Sequence, residues 1–232
     1  MYDHQLFVQT LSEFVCTLVR PYDVDTVLND LALRVTDVLH LTGSGVSLAE
    51  DGRLRMITAI PPHLVELEKY QEEHQTGPSV EALHTGEIVL VPDIEQHRER
   101  WPDYAEVARS SGTPSLAALP MSMEEEAFGT LSIYAERRDW TEDDVAAARL
   151  LADMATAYLV NASTHQQQAE LNAQLSHALE SRVVIEQAKG IIAEARHLSV
   201  TQAFELIRSH ARRHNVKIRD LSEAIVHMGM RL

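Results

Sequence analysis

The sequence predicts an α+β body, a long connecting helix and a small all-helical end. Three observations predict it. Over roughly the first 140 residues the apolar spacing switches between a helical period near 3.6 and a strand period of 2. From Thr141 to Lys189 the spacing is helical, with neither glycine nor proline. The charge is divided unevenly: residues 1–169 carry 11 Lys+Arg against 28 Asp+Glu, a net of −17, and residues 170–232 carry 9 against 7, a net of +2.

The first helix is expected over 4–20, with Leu6, Leu11, Phe14, Val15 and Leu18 on one face and Pro21 at its end. Cys16 lies on that apolar side and is expected in the core. A second helix, 23–40, has Val27, Leu28, Leu31, Val35, Val38 and Leu39 as its stripe. Residues 43–50 and 53–60 alternate and flank Glu50-Asp51-Gly52, which is the signature of a hairpin. Helical spacing returns over 63–74. Ser79 to Thr85 suits a two-turn helix stopped by Gly86. Ile88 to Val91 is a short strand ended by Pro92, and 102–112 is a further helix after Trp101-Pro102. Residues 115–121 and 127–135 form a second hairpin, with 123–126 in its turn. The whole is a largely antiparallel sheet flanked by helices.

Thr141 is a good N-cap for the long helix, with Asp144 placed to complete a box. A 3-4 ladder then runs through Ala148, Leu151, Ala155, Tyr158, Ala162, His165, Ala169, Asn172, Ser176 and Leu179, a heptad-like seam suited to a dimer stem. Its lower half is polar, and Leu171 and Leu175 beside it suggest a shift of register. Three helical segments close the chain. Val184, Ala188, Ile191, Ile192 and Ala195 give the first a buried face. Ser199 and Gln202 form a capping box that opens the second, where Ala203, Phe204, Leu206, Ile207 and Ala211 face inward. The third presents Ile218, Leu221, Ile225 and Met228 and ends at Gly229.

Composition sets outer limits. Hydrophobic residues make up 45% and charged residues 24% of 232 residues, enough apolar material for folded cores. One cysteine excludes an intrachain disulfide and a Cys-only metal cluster. No run of about 18 apolar residues spans a membrane. The first twenty residues lack the features of a secretory signal, so the cytoplasm is the expected compartment. No GxGxxG, P-loop or HExxH occurs, and no catalytic residues, metal or enzyme activity are expected. His210 and His214 have the helical spacing of two metal ligands, but nothing completes the set, and they are expected on the surface. His74 and His84 flank the 76–80 loop and are expected to be ordinary loop and helix residues.

The tail contains R-x-x-I-x-x-A-K-G (Arg182, Ile185, Ala188, Lys189, Gly190), then S-x-x-x-A-F-x-x-[LI]-R (Ser199, Ala203, Phe204, Ile207, Arg208), then Ala211 and a closing L-x-x-A-I (Leu221, Ala224, Ile225). It resembles an ANTAR domain. The preceding part, with GPSVEALHTGEIVLVPDI, LAALPM and GTLSIYAERRDWTEDD, resembles a GAF domain. The resemblance implies a bacterial regulator with a GAF-like sensory or dimerising domain at 1–160. A helical connector at 161–170 forms part of a coiled-coil stem, and a three-helix RNA-binding ANTAR domain follows at 171–232. It implies transcription antitermination, or a related post-transcriptional control, by a homodimer that engages paired stem-loops in nascent transcripts. It implies no cofactor, though an unknown small molecule could occupy the GAF domain. RNA contact needs cations for phosphates and hydrogen-bonding or planar groups for unstacked bases. On that ground the RNA-binding candidates are Arg182, Gln187, Lys189, Arg208, Arg212 and Lys217. Lys189 leads, since Gly190 beside it permits close approach of a backbone. The rival readings are a DNA-binding helix-turn-helix regulator and a small-molecule-sensing scaffold that touches no nucleic acid.

Overall fold

The computed structural model describes residues 2–18, 22–124 and 126–232, except for the side chains at 166, 169, 170, 173, 174 and 176–178. The chain forms two compact units, Met1–Ser163 and Thr164–Leu232, each with its own hydrophobic core.

The first unit runs α1 (His4–Leu18), α2 (Val24–Val38), β1 (Gly43–Glu50), β2 (Arg53–Ile60), α3 (Val65–His74), α4 (Pro78–Thr85), β3 (Val89–Val91), α5 (Pro102–Ser110), β4 (Ser115–Met123) and β5 (Glu126–Ala135), and ends with the first part of α6 (Glu142–Arg196). The five strands form one antiparallel sheet in the order β2-β1-β5-β4-β3. Both faces are covered. The period of 2 sends Val46, Ala117, Leu119, Met121, Leu131 and Ile133 into a core with α1, α2 and α6. It sends Leu116, Ala118 and Tyr134 into a second core with Leu64, Leu67, Ala82, Tyr104 and Ala108. This is why β4 and β5 are buried almost throughout rather than on alternate residues.

The first hairpin has the predicted strands, and Gly86 in a left-handed conformation (φ 69°) caps α4. A 3₁₀ turn at Ile94–His97, opened by the Asp93 side chain, was not legible in the spacing. The second hairpin is tighter than predicted, because β4 continues to Met123 and β5 starts at Glu126. The predicted end of the first helix near Pro21 lies outside the described residues, as does Glu125 in the hairpin turn.

Several predicted burials are corrected. Cys16 is exposed, and Val15 is 59% exposed. The buried row of α1 is Phe7, Thr10 and Phe14, and Cys16, two residues past Phe14, turns about 160° away from that row. The Thr141 hydroxyl accepts from the Asp144 amide at 3.2 Å, as an N-cap does. The Asp144 carboxylate is held by Arg138, whose Nε and Nη2 donate to it at 3.1 and 2.7 Å. The same guanidinium donates to the Leu39 carbonyl, tying the end of α2 to the start of α6. The upper half of the predicted dimer seam is not free for a partner. Ala148, Leu151, Ala155 and Tyr158 all lie in the unit's own core. Tyr158 packs edge-on against Phe14 and Tyr22, and its hydroxyl donates to the Phe14 carbonyl. The side chains of Ala169 and Ser176, lower in that seam, lie outside the description.

In the second unit the rest of α6 joins α7 (Val200–Arg213) and α8 (Ile218–Met228). Gly190 does not break α6. A glycine costs about 1 kcal/mol in a helix, and burial of Ala188 and Ile192 on either side outweighs that. The helix stops instead at His197, which adopts a left-handed φ of 54°. The capping box at Ser199 and Gln202 is fully formed, and Gly229 caps α8. The core is Ala188, Ile192, Ala203, Ile207, Ala211, Leu221 and Ile225. Ile191, Ala195 and Met228, predicted to face inward, are exposed. The end of α6, α7 and α8 each bury one row, and these side chains flank the rows.

Candidate nucleic-acid interface

The six candidate residues do not form one patch. On α6, Arg182 and Lys189 are seven residues apart and therefore nearly in line, two turns along one flank. Gln187 lies about 160° round the helix from Lys189. It lines a groove of about 400 Å³ with Leu179, Val183, Arg219, Glu223 and His227 on the α8 side. The motif spacing places Gln187 beside Lys189 in the chain and on the opposite flank in space.

On α7, Arg208 and Arg212 are exposed neighbours one turn apart, and Arg208 follows Phe204 by one turn. Lys189 bridges the two helices, with its Nζ over the Phe204 ring at 5.4 Å from the centroid. Lys189, Phe204, Arg208 and Arg212 therefore form a continuous band across α6 and α7, with Arg182 on the same flank of α6. Two acids partly neutralise it. Glu186 accepts from Lys189 Nζ at 2.8 and 2.9 Å, and Glu205 lies 3.5 Å from Arg208. Both are i, i+3 pairs on exposed surface, so each contributes little to stability and leaves the cation able to exchange partners. Lys217 is exposed at the N-cap of α8.

His210 and His214 stack at 4.1 Å and 23°, and His214 Nδ1 lies 2.9 Å from the His210 carbonyl. Round the α7 axis from Arg208, His210 lies about 160° away and His214, at the C-cap, about 120°, so both are off the band. Burial, then His214 and Arg213, hold the His210 pKa below the usual imidazole value. No group of three or more possible metal ligands occurs among the described residues.

Phe204 was predicted to point inward, but it is half-buried and, among the described residues, is not one of the side chains that pack on the core of its unit. It is the only Phe, Trp or Tyr in residues 164–232.

The first unit holds a second arrangement that spacing did not reveal. Glu68, on α3, is fully buried against the sheet. Tyr134 Oη donates to its Oε1 at 2.6 Å, and Ser47 Oγ to its Oε2 at 3.4 Å. Beside it, Gln71 Nε2 donates to Ser79 Oγ at 2.9 Å and Gln71 Oε1 accepts from the Ser79 amide at 2.8 Å, while the Ser79 and Ser132 hydroxyls pair at 2.7 Å. Gly45 makes room for this cluster: a Cβ there would stand 2.3 Å from Glu68 Oε1. Burial raises the Glu68 pKa, and the hydroxyl donors only partly offset it. Tyr104 and Tyr134, buried beside it, titrate well above the usual phenol value, chiefly because of burial. His74, which stacks on Tyr70 at 4.2 Å, and His84 are both exposed, as expected of ordinary helix residues.

The unit containing the basic band matches the model of the ANTAR domain over residues 173–226, and the sheet unit matches the model of the GAF domain over 23–159. No curated protein matches the chain. Solved structures resemble the sheet unit. The GAF domain of a phosphoenolpyruvate-protein phosphotransferase from Coxiella burnetii is 14% identical, with a TM-score of 0.57 over 70% of this chain and 98% of that one. The corresponding domain from Acinetobacter is 15% identical, with a TM-score of 0.54 over 72% and 99%. Free methionine-R-sulfoxide reductase from Neisseria meningitidis, in complex with its substrate, is 15% identical, with a TM-score of 0.53 over 71% and 96%. At such identities the likeness concerns the fold alone. With a GAF domain spanning more than half its length and an ANTAR domain behind it, the chain belongs to the GAF–ANTAR regulatory proteins.

Proposed function

We propose that this protein binds RNA stem-loops through the α6–α7 band and so controls gene expression at the transcript, by antitermination or a related step, under the influence of its GAF domain. The observation that carries this reading is the band itself: four cations, Arg182, Lys189, Arg208 and Arg212, on adjoining flanks of two helices, in a chain whose other part has a net charge of −17. The acidic part repels stray nucleic acid, which favours loops that the band can grip. A protein acting on nascent transcripts works in the cytoplasm. Gln187 takes a different part: it belongs to the α8-side groove and is not needed for phosphate contact.

A homodimer brings two such bands to two loops and gains affinity through effective concentration. The surface that suits it is not the upper half of the predicted seam but a row that keeps Leu179 from the seam's lower end and adds Leu171, Leu175 and Val183, each 55–64% exposed, at successive i+4 positions on α6. Signal at the GAF domain then acts on the dimer equilibrium or on α6.

Four cations on phosphates give a logarithmic salt slope of about −3, at roughly 0.7 to 0.9 per contact. Titration of the full chain with a hairpin RNA across a salt series measures it. The double variant Lys189→Ala, Arg212→Ala should lose most of the affinity and flatten the slope by about half. A folded double variant that binds with the wild-type slope would remove the band from the RNA surface. Binding competed equally by duplex DNA would favour a DNA-binding regulator instead.

A further inference from the structure

We propose that Phe204 is the ring on which an unpaired loop base stacks, and that Lys189 and Glu186 form a latch over it that RNA opens. This rests on the RNA-binding reading above and adds to it the contact that reads the loop rather than the phosphates.

Recognition of an unpaired base needs an accessible flat face, from an aromatic ring or a guanidinium. Residues 164–232 contain no Trp, no Tyr and a single Phe. That Phe204 is half-buried at the edge of α7, among the described residues it is not part of the packing round the core, and it sits in the middle of the cationic band. A phenylalanine whose only task was stability would lie in the core, where Ala203 and Ile207 beside it do lie.

Its exposed side is occupied by a cation. Lys189 Nζ sits over the ring and is held at the same time by both carboxylate oxygens of Glu186. Lys189 is 17% exposed in this position and Glu186 is 56% exposed. A cation over a ring and a solvated ion pair are each weak. An incoming nucleotide offers better terms at both ends: its phosphate replaces the Glu186 carboxylate as partner of the ammonium, and its base replaces the ammonium on the ring. Glu186 opposes the exchange, because its negative charge competes with the phosphate for Lys189. The latch therefore lowers affinity for any phosphate chain and relaxes only where an unpaired base takes the ring. It favours loops over duplex.

The test uses the full chain and RNA hairpins carrying 2-aminopurine at each loop position in turn. Wild type should quench one position. Phe204→Leu should lose that quenching and bind about 5- to 150-fold more weakly, as loss of one stacked base implies, with its salt slope unchanged because no phosphate contact is lost. Phe204→Tyr should keep both. Glu186→Gln, a substitution on exposed surface that keeps the helix, should tighten binding and leave the quenched position the same. A folded Phe204→Leu that quenches and binds as wild type does overturns the proposal. If Phe204→Leu fails to fold by circular dichroism, Glu186→Gln decides: unchanged or weaker binding overturns it. Wild type that binds no hairpin at all sinks the RNA-binding reading instead, and this proposal with it.

Discussion

At the scale of single residues, Glu68 carries the clearest consequence. A fully buried carboxyl prefers its proton, and the hydroxyl donors at its two oxygens oppose that preference without cancelling it. Its pKa in the folded state lies above its value in the unfolded chain. The stability it contributes is therefore complete below the ordinary carboxyl range and is lost as pH rises through its raised folded value. Asp144 works in the opposite sense. Burial pushes its pKa up, but the Arg138 hydrogen bonds and charge outweigh that and hold it below the usual carboxylate value, so its contribution is lost as pH falls. Melting of wild type should thus fall with rising pH over the Glu68 window, and Glu68→Gln should flatten that fall without changing the acid side. Parallel melting curves for the two proteins as pH rises above the ordinary carboxyl range would show that Glu68 is not the titrating group. None of this was legible in the sequence, where Glu68 is one of many acids on a helix. Which flank a residue takes was legible only within a residue or so. At about 100° per residue, Phe14 is buried while Val15 and Cys16 are out, and Ile192 is buried while Ile191 is out.

At the scale of elements, far more was legible. The strands 43–50 and 53–60 follow directly from alternation round a turn, and the capping box follows from Ser199 and Gln202. Local chemistry decides such features, so local sequence reveals them. Gly190 does not end the helical segment read from Val184 to Ala195, because a helix breaker acts only where nothing else holds the helix. It sits on exposed surface inside α6, with open space where a Cβ would be. Gly190→Ala should therefore stabilise the second unit by about 0.5–1 kcal/mol, read as a higher melting temperature. If RNA approaches the backbone there, as its position after Lys189 suggests, the same variant should bind more weakly while melting higher. A variant that melts lower would mean that α6 is not held as a continuous helix at this point.

At the scale of the whole molecule, the charge division and the change from mixed structure to helix marked two modules, but the strand order and the use of α6 were not legible. Pairing of β1 with β5 joins segments about eighty residues apart, and no local pattern encodes which distant strand is the neighbour. The 3-4 ladder read as a dimer seam is, in its upper half, the way α6 covers its own sheet. A buried face and a partner face have the same periodicity, and only packing tells them apart. Association should accordingly depend on the lower row. Leu175→Glu with Leu179→Glu should shift a dimeric wild type toward monomer by light scattering, while a change at Val200, exposed on α7, should not. A double variant of unchanged mass would put the interface elsewhere. The exposed position of Cys16 gives the means to follow such changes. It is the only sulfhydryl in the chain and stands at the surface of α1. Each copy therefore takes a single maleimide spin label or fluorophore without any engineering, and an assembly of two holds one dipolar distance to be watched as signals and transcripts are added.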